Sequence, residues 1–273
     1  MLKDITLGQY FPGNSLLHRL DPRLKIILII VYITGVFLAK NIAAFGVIFL
    51  FSALMIAISK IPLKIIVKGM RPLIMIIAFT AIINIFWTTG ETLLVQFYFI
   101  KIYAEGIVFC VLMIIRITAL LAGTSVILTY TTSPIALTDG IEQLLSPLKK
   151  IHVPVHEFAM MMTIALRFIP ILIEETDKIM NAQKARGADF STGSLTKRAK
   201  ALIPVLIPLF VSVFRHADDL AIAMECRCYH GGENRTRMTV LHYHANDFVF
   251  LIIFALFIAA VILANIFIPG FSI

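Results

Sequence analysis

Five stretches of the chain are apolar almost without interruption, and each approaches the roughly 20 residues that cross a bilayer as a helix. They are "IILIIVYITGVFLA" (26–39), "IAAFGVIFLFSALMIAI" (42–58), "PLIMIIAFTAIINIFW" (72–87), "GIVFCVLMIIRITALLAGTSVILTY" (106–130) and "DFVFLIIFALFIAAVILANIFI" (247–268). The first is short unless Leu24 and Lys25 extend it, the lysine by snorkelling its ammonium to the surface. A sixth candidate, "FAMMMTIALRFIPILI" (158–173), is interrupted by Arg167 and Pro170. Between the third and fourth, "ETLLVQFYFIKIYAEG" (91–106) alternates through Phe97, Phe99 and Tyr103. That pattern fits a short outer hairpin or an interfacial helix and does not choose between them.

A second pattern is laid over the first. "RFIPILIEETDKIMNAQKARG" and "IPLFVSVFRHADDLAIAMECRC" each run from a proline, through helical periodicity, to an arginine. From Pro170 to Arg186 and from Pro208 to Arg227, a helix reaches roughly 24–28 Å at 1.5 Å per residue. Ile179, Gln183 and Arg186 share one face of such a helix, as do Leu220, Met224 and Arg227. A proline at the inner end of each can kink the helix where it meets the membrane.

Composition turns these spans into a class. Of 273 residues, 59% are hydrophobic and 15% charged, with a mean hydropathy of +0.93, more apolar surface than a soluble core of this length hides. The chain is an integral membrane protein. Its N-terminal stretch "MLKDITLGQYFPGNSLLHRLDPRLK" is polar and lacks a signal-peptide core and cleavage site, so the mature chain is expected to begin at Met1. The formal charge of +8 is read as cytoplasmic loops and anionic headgroups, not as a nucleic-acid footprint. Three cysteines, Cys110 among them inside an apolar run, make no disulfide framework, and the other two belong to a basic segment facing a reducing cytosol.

Charge also sets the topology, because Lys and Arg near span ends stay inside. Arg19, Arg23 and Lys25 place the N-terminus in the cytoplasm, and Lys60, Lys64, Lys68 and Arg71 do the same for the second loop. Counting 158–173 as a span would put the basic residues of 174–246 outside. The expected organisation is therefore a four-span bundle (1–130), a cytoplasm-facing coupling region (131–246) whose apolar helices lie along or dip into the membrane face, and a last span (247–273). The fold class is an all-α, multi-pass membrane protein of about five transmembrane helices plus long coupling helices.

The arginines give the chemistry. A planar, permanently charged guanidinium suits a desolvated groove lined by carboxylates or carbonyls, and a cation at a helix C-terminus matches the macrodipole. Ala185 and Gly187 let a partner approach, and Gly187 can take the left-handed conformation that stops the helix. At Arg227 the neighbours are Cys226 and Cys228; cysteine enters that conformation less freely than glycine, so Gly231-Gly232 is expected to supply the chain reversal instead.

These residues resemble a known family, the transmembrane T component of energy-coupling factor (ECF) transporters, also called the EcfT/CbiQ family. The resemblance covers nearly the whole chain. It rests on the opening "GQYFPGNSLLHRLDPRLK" with Ser15, His18 and Leu20-Asp21-Pro22-Arg23, on "SPIALTDGIEQLLSPLKK" and "HEFAMMMTIALRFIPILIEE", on Ala185-Arg186-Gly187, and on "GGENRTR" (231–237). Cys226-Arg227-Cys228 departs from the family's commoner Ala-Arg-Gly but keeps the arginine. The resemblance implies a non-catalytic coupling subunit of an ECF-type ABC importer for vitamin or micronutrient uptake. Its two coupling helices dock into two cytoplasmic ABC ATPase subunits through Ala185, Arg186, Gly187, Glu225 and Arg227. A membrane substrate-binding S component occupies another face, for which Arg116, Met160, Met161 and Met162 are the candidates. No cofactor is expected, ATP being bound by the partner subunits; the chain has neither G-x-x-x-x-G-K-[ST] nor G-x-G-x-x-G. The alternatives are a dedicated cobalt or nickel uptake component and an ordinary ABC importer permease.

Other readings of single motifs are weaker. Cys226, Cys228 and His230 followed by His242 and His244 lack the C-x-x-C spacing of common zinc sites. His152, His156 and Glu157 in "HVPVHE" lack the glutamate directly after the first histidine that a zincin needs, and Pro154 interrupts the turn. Arg116 in the fourth span is costly in lipid and is either part of a partner-facing groove or paired with a backbone carbonyl. Asn84 is a milder instance. The small residues of "ALLAGTS" (119–125) allow close helix packing. The adjacent methionines suit either packing or an adaptable contact surface.

Overall fold

The computed structural model of the chain describes residues 10–87, 92–97, 100–190, 192, 194–232 and 240–267. Eight α-helices are described: α1 (Pro22–Leu38), α2 (Ile42–Ser59), α3 (Leu63–Trp87), α4 (Ala104–Thr124), α5 (Pro134–Leu144), α6 (Val155–Ala185), α7 (Leu195–Cys226) and α8 (Ala245–Phe267). A π-helical turn, Ser125–Thr129, continues α4, and a 3-10 turn, Ser146–Ile151, precedes α6. The protein is an all-α membrane protein, as the sequence led us to expect. The segment that left two possibilities open folds as an antiparallel hairpin, β1 (Leu93–Phe97) on β2 (Ile100–Tyr103), with an irregularity between Leu93 and Val95. Residues 88–91 and 98–99, including Phe99, lie outside the described set, as do 233–237 of "GGENRTR" and Ile268.

Six described helices are long and apolar enough to cross a membrane: α2, α3, α4 with its π-helical continuation, α6, α7 and α8. The first expected span is α1, shorter at 17 residues. The sequence count of about five is thus approximate, because α6 and α7 are continuous through Pro170 and through Pro204 and Pro208. Prolines inside a helix remove one hydrogen bond each without ending it when the surroundings take up the freed carbonyl.

The chain divides into two compact units, 10–140 with 241–267, and 141–232 with Val240. In the first, α1, α2, α4 and α8 enclose a core around Tyr32, Phe51, Phe254 and Phe257. Phe51 stacks on Phe257 with centroids 4.1 Å apart and meets Phe254 edge-on at 5.0 Å. Tyr32 is fully buried, and its hydroxyl donates to the Ala119 carbonyl (2.8 Å) and lies 2.8 Å from Ser52 Oγ. Gly123 makes room for that ring: a Cβ there would overlap it.

A polar latch closes one end of this unit. Asp21 caps α1 by accepting from the Arg23 amide (2.8 Å), with Pro22 at the first helical position. The Arg23 guanidinium returns to Asp21 (2.7 Å), donates to the Leu241 carbonyl (3.1 Å) and lies 4.2 Å over the Tyr243 ring. Asp247, in the first turn of α8, accepts from the amides of Asp21 (3.0 Å) and His244 (2.7 Å). Lys25 does not snorkel: it is 1% exposed and donates to the Thr131 carbonyl (2.9 Å) and Thr132 Oγ1 (3.1 Å). The latch turns it inward because buried acceptors at the exit from α4 satisfy the ammonium better than the lipid surface would. Close by, Ser15 Oγ and His18 Nδ1 are 2.6 Å apart, and His18 Nε2 reaches the Phe11 carbonyl at 2.9 Å.

Candidate functional site

The two arginine motifs end α6 and α7 with the same backbone geometry. Arg186 is the last half-helical residue of α6, and Gly187 follows in the left-handed region (φ 89°). The Gly187 amide donates to the Lys184 carbonyl (2.9 Å) and the Ala188 amide to that of Gln183 (3.0 Å), the paired bonds of a Schellman stop. Arg227 occupies the matching place on α7. The Cys228 amide donates to Glu225 (2.8 Å) and the Tyr229 amide to Met224 (3.0 Å).

Here the expectation of a displaced reversal is corrected. Cys228 itself takes the left-handed conformation (φ 55°), and Gly231 (φ 97°) adds a second turn beyond it. The two hydrogen bonds of the stop outweigh the roughly 1 kcal/mol that a Cβ costs in that region. Replacing Cys228 by glycine is accordingly expected to tighten the stop by about 0.5–1 kcal/mol, slowing exchange of the Cys228 (now glycine) and Tyr229 amides about two- to five-fold. Hydrogen–deuterium exchange of the intact protein checks this, and unchanged or faster exchange contradicts it.

Both guanidinium groups are exposed, and neither forms an ion pair with a described residue. Ala185, Gly187 and Glu225 are exposed beside them. The face behind each tip is used within the helix pair. Gln183 Nε2 donates to the Pro204 carbonyl (3.4 Å), the one that Pro208, lacking an N–H four residues on, leaves without a helical partner. Leu220 and Met224 line a groove of about 290 Å³ with Ile164, Phe168 and Leu172 of α6. Between these points His216 stacks on Phe168 (6.1 Å) and lies 3.3 Å from Glu175.

Contacts that pair low numbers on α6 with high numbers on α7 make the helices antiparallel. Arg186 is level with the beginning of α7, and Arg227 with the beginning of α6. At 1.5 Å per residue the tips are about 40 Å apart, at opposite ends of the pair. Nothing in the linear sequence states this, since each helix taken alone shows only its own tip.

The start of α6 supports the second tip. His156 Nδ1 lies 2.9 Å from the buried Glu142 carboxylate, and Gly232, just past Arg227, passes so close to the His156 ring that a Cβ would overlap it. The HVPVHE motif, too irregular for a zincin, gave no sign of this role, because Glu142 and Gly232 lie far from His156 along the chain. His152 and His156 do not share a helix face, since His152 ends the 3-10 turn in a left-handed conformation (φ 62°) before Pro154 opens α6. Among the described residues no three His, Cys, Asp or Glu side chains are placed to hold a metal ion.

Of the remaining candidates, Met161 and Met162 are exposed on α6 and Met160 is half-buried. Arg116 belongs to the other unit, where it donates to the Ala39 carbonyl (2.8 Å) at the α1–α2 corner and lies 5.0 Å over the Phe45 ring. Of the two roles open to it, the pairing with a backbone carbonyl is present. Asn84 donates to the Thr80 carbonyl of its own helix (2.9 Å).

Residues 13–238 match the family model described as cobalt transport protein, CbiQ. The chain is 54% identical over 259 residues to a protein of Acidaminococcus fermentans, covering 94% of this chain and 96% of that one. It is 53% identical over 263 residues to a protein of Ruminiclostridium cellulolyticum, with 96% and 98% covered. It is 46% identical over 247 residues to one of Bacillus subtilis, with 90% and 93% covered. All three bear the name energy-coupling factor transporter transmembrane protein EcfT.

Proposed function

Given that the chain belongs to the EcfT/CbiQ family of energy-coupling factor transporter transmembrane proteins, we propose that it is the non-catalytic subunit through which two cytoplasmic ATPases move a membrane substrate-binding S component. The observation that carries the reading is the pair of helix stops with the same hydrogen-bond pattern, each presenting an exposed arginine at the end of a helix of more than 30 residues. Two separate tips suit two separate ATP-binding subunits, and a rigid antiparallel pair transmits their approach as a change in helix angle. Residues 131–246, with both tips, face the cytoplasm, and the N-terminus lies on the same side; the basic residues of 174–246 support this orientation. The exposed apolar side chains Met161, Met162, Ile207, Phe210 and Phe214 suit the surface that carries the S component. ATP is bound by the partners. The cargo is a vitamin or similar micronutrient, chosen by the S component.

The native thiols provide a test. Cys226 and Cys228 are exposed beside Arg227, whereas Cys110 is buried. A membrane-impermeant maleimide is expected to leave Cys226 and Cys228 unlabelled in intact cells and to label them after permeabilisation. Bound ATPase subunits are expected to suppress that labelling. Labelling of intact cells would overturn the orientation, and full labelling in the assembled complex would overturn the docking.

A further inference from the structure

We propose that the cleft between α2 and α3 is a binding site for an anionic phospholipid, with an acyl chain in the cleft and its phosphodiester on Lys60 and Lys64. α3 packs along α4 and makes few contacts with α2, so the two helices diverge from the turn that joins them. The resulting cleft has a volume of about 780 Å³, and its walls are almost wholly apolar. Its lining includes Ala119 and Ala122 of α4 and Ala53 and Ala57 of α2. Small side chains on both walls keep it open. The volume lies within the roughly 300–1,000 Å³ range of sites that enclose a small ligand.

The cleft has one cation in its lining, Lys60, and three more follow it along the chain. Lys60 is held at the turn in a left-handed conformation (φ 57°) that ends α2. From there Lys64, Lys68 and Arg71 follow at helical spacing on one face of α3, and all four side chains are exposed. No Asp or Glu occurs between Ile42 and Trp87, and none of the four cations forms an ion pair with a described residue. Their counter-charge must come from outside the chain. The apolar run of α2 stops at Ser59, which places Lys60 at headgroup depth. A ligand that is a hydrocarbon chain at one end and an anion at the other, with the two meeting at that depth, is a membrane lipid. A partner helix would need carboxylates at the same level and is an outcome that the test distinguishes.

The experiment uses the full chain, purified in mild detergent, exchanged against phosphatidylglycerol or phosphatidylcholine of the same acyl composition and examined by native mass spectrometry. Retention of phosphatidylglycerol above phosphatidylcholine is expected. Lys60→Gln and Lys64→Gln are each expected to lower that preference about five-fold, the contribution of one cation near an anionic surface. Ala53→Phe with Ala57→Phe, both at exposed positions on α2, is expected to displace both lipids by filling the cleft. Equal retention of the two lipids overturns the proposal. So does an unchanged preference in the glutamine variants, or undiminished retention when the cleft is filled. A cross-link from Ala53→Cys to another membrane protein, in a complex that retains no lipid, also overturns it. None of these readouts involves the ATPase subunits, so the inference stands or falls separately from the docking reading.

Discussion

Co-purification of the ATP-binding subunits is expected to fall to background when Arg186 and Arg227 are both replaced by glutamate. Each arginine is exposed, stands at the end of its helix and has no ion-pair partner among the described residues, so reversing its charge costs the fold only its favourable place at the helix C-terminus, about 0.3–1 kcal/mol each. In a groove that desolvates it, an arginine of this kind is worth about 2–4 kcal/mol, or roughly 30- to 1,000-fold in affinity. Glutamate adds repulsion where carboxylates or carbonyls await a cation. The tips are about 40 Å apart along the helix pair, far beyond the distance at which neighbouring substitutions interact. Each single variant is therefore expected to weaken assembly by its own factor, and the double variant by about the product of the two. The Schellman stops survive because they are made by backbone groups, so thermal stability falls by no more than the roughly 1–2 kcal/mol that two anions at helix C-termini cost. Wild-type recovery of the ATPase subunits with the double variant would rule out the proposed docking.

The second large effect is on stability. Asp247→Ala is expected to cost about 3–5 kcal/mol, because Asp247 is 2% exposed and its carboxylate accepts two backbone amides that have no water to turn to. One of those amides belongs to Asp21, which itself holds Arg23 and caps α1. Removing the carboxylate also takes a negative charge from the surroundings of the buried Lys25 ammonium. At about 2–4 °C per kcal/mol for a chain of this size, the melting temperature in detergent should fall by roughly 10 °C. Asp247→Asn keeps one acceptor oxygen and is expected to lie between the alanine variant and the wild type. A fall of less than about 2 °C for the alanine variant would mean that the latch is wet.

Several parts of the fold follow from local chemistry and were legible in the chain. Asp21-Pro22 carries the start of α1, because an acidic cap and a proline at the first position satisfy the geometry of any helix entry, although hydropathy began that span only at Ile26. Gly187 announces the end of α6 for the same kind of reason. At Cys228 the same reasoning misled, since the intrinsic preference against a left-handed cysteine is smaller than the two hydrogen bonds gained by stopping there. The hairpin at 93–103 stayed undecided because alternation over so few residues serves two structures, and pairing between β1 and β2 selects one.

Length, hydropathy and the distribution of basic residues determined by themselves that this is a helical membrane protein and marked its most apolar helices, since the bilayer imposes those requirements on any chain. The two arginine tips were equally visible, each being a local sequence. Only the tertiary structure decided that the tips stand at opposite ends of an antiparallel pair, that Gln183 answers the carbonyl freed by Pro208, that Gly232 rests on His156, and that Lys25 turns inward to Thr131 and Thr132. Each of these depends on a partner far along the chain, and which distant groups meet is set by how the helices pack.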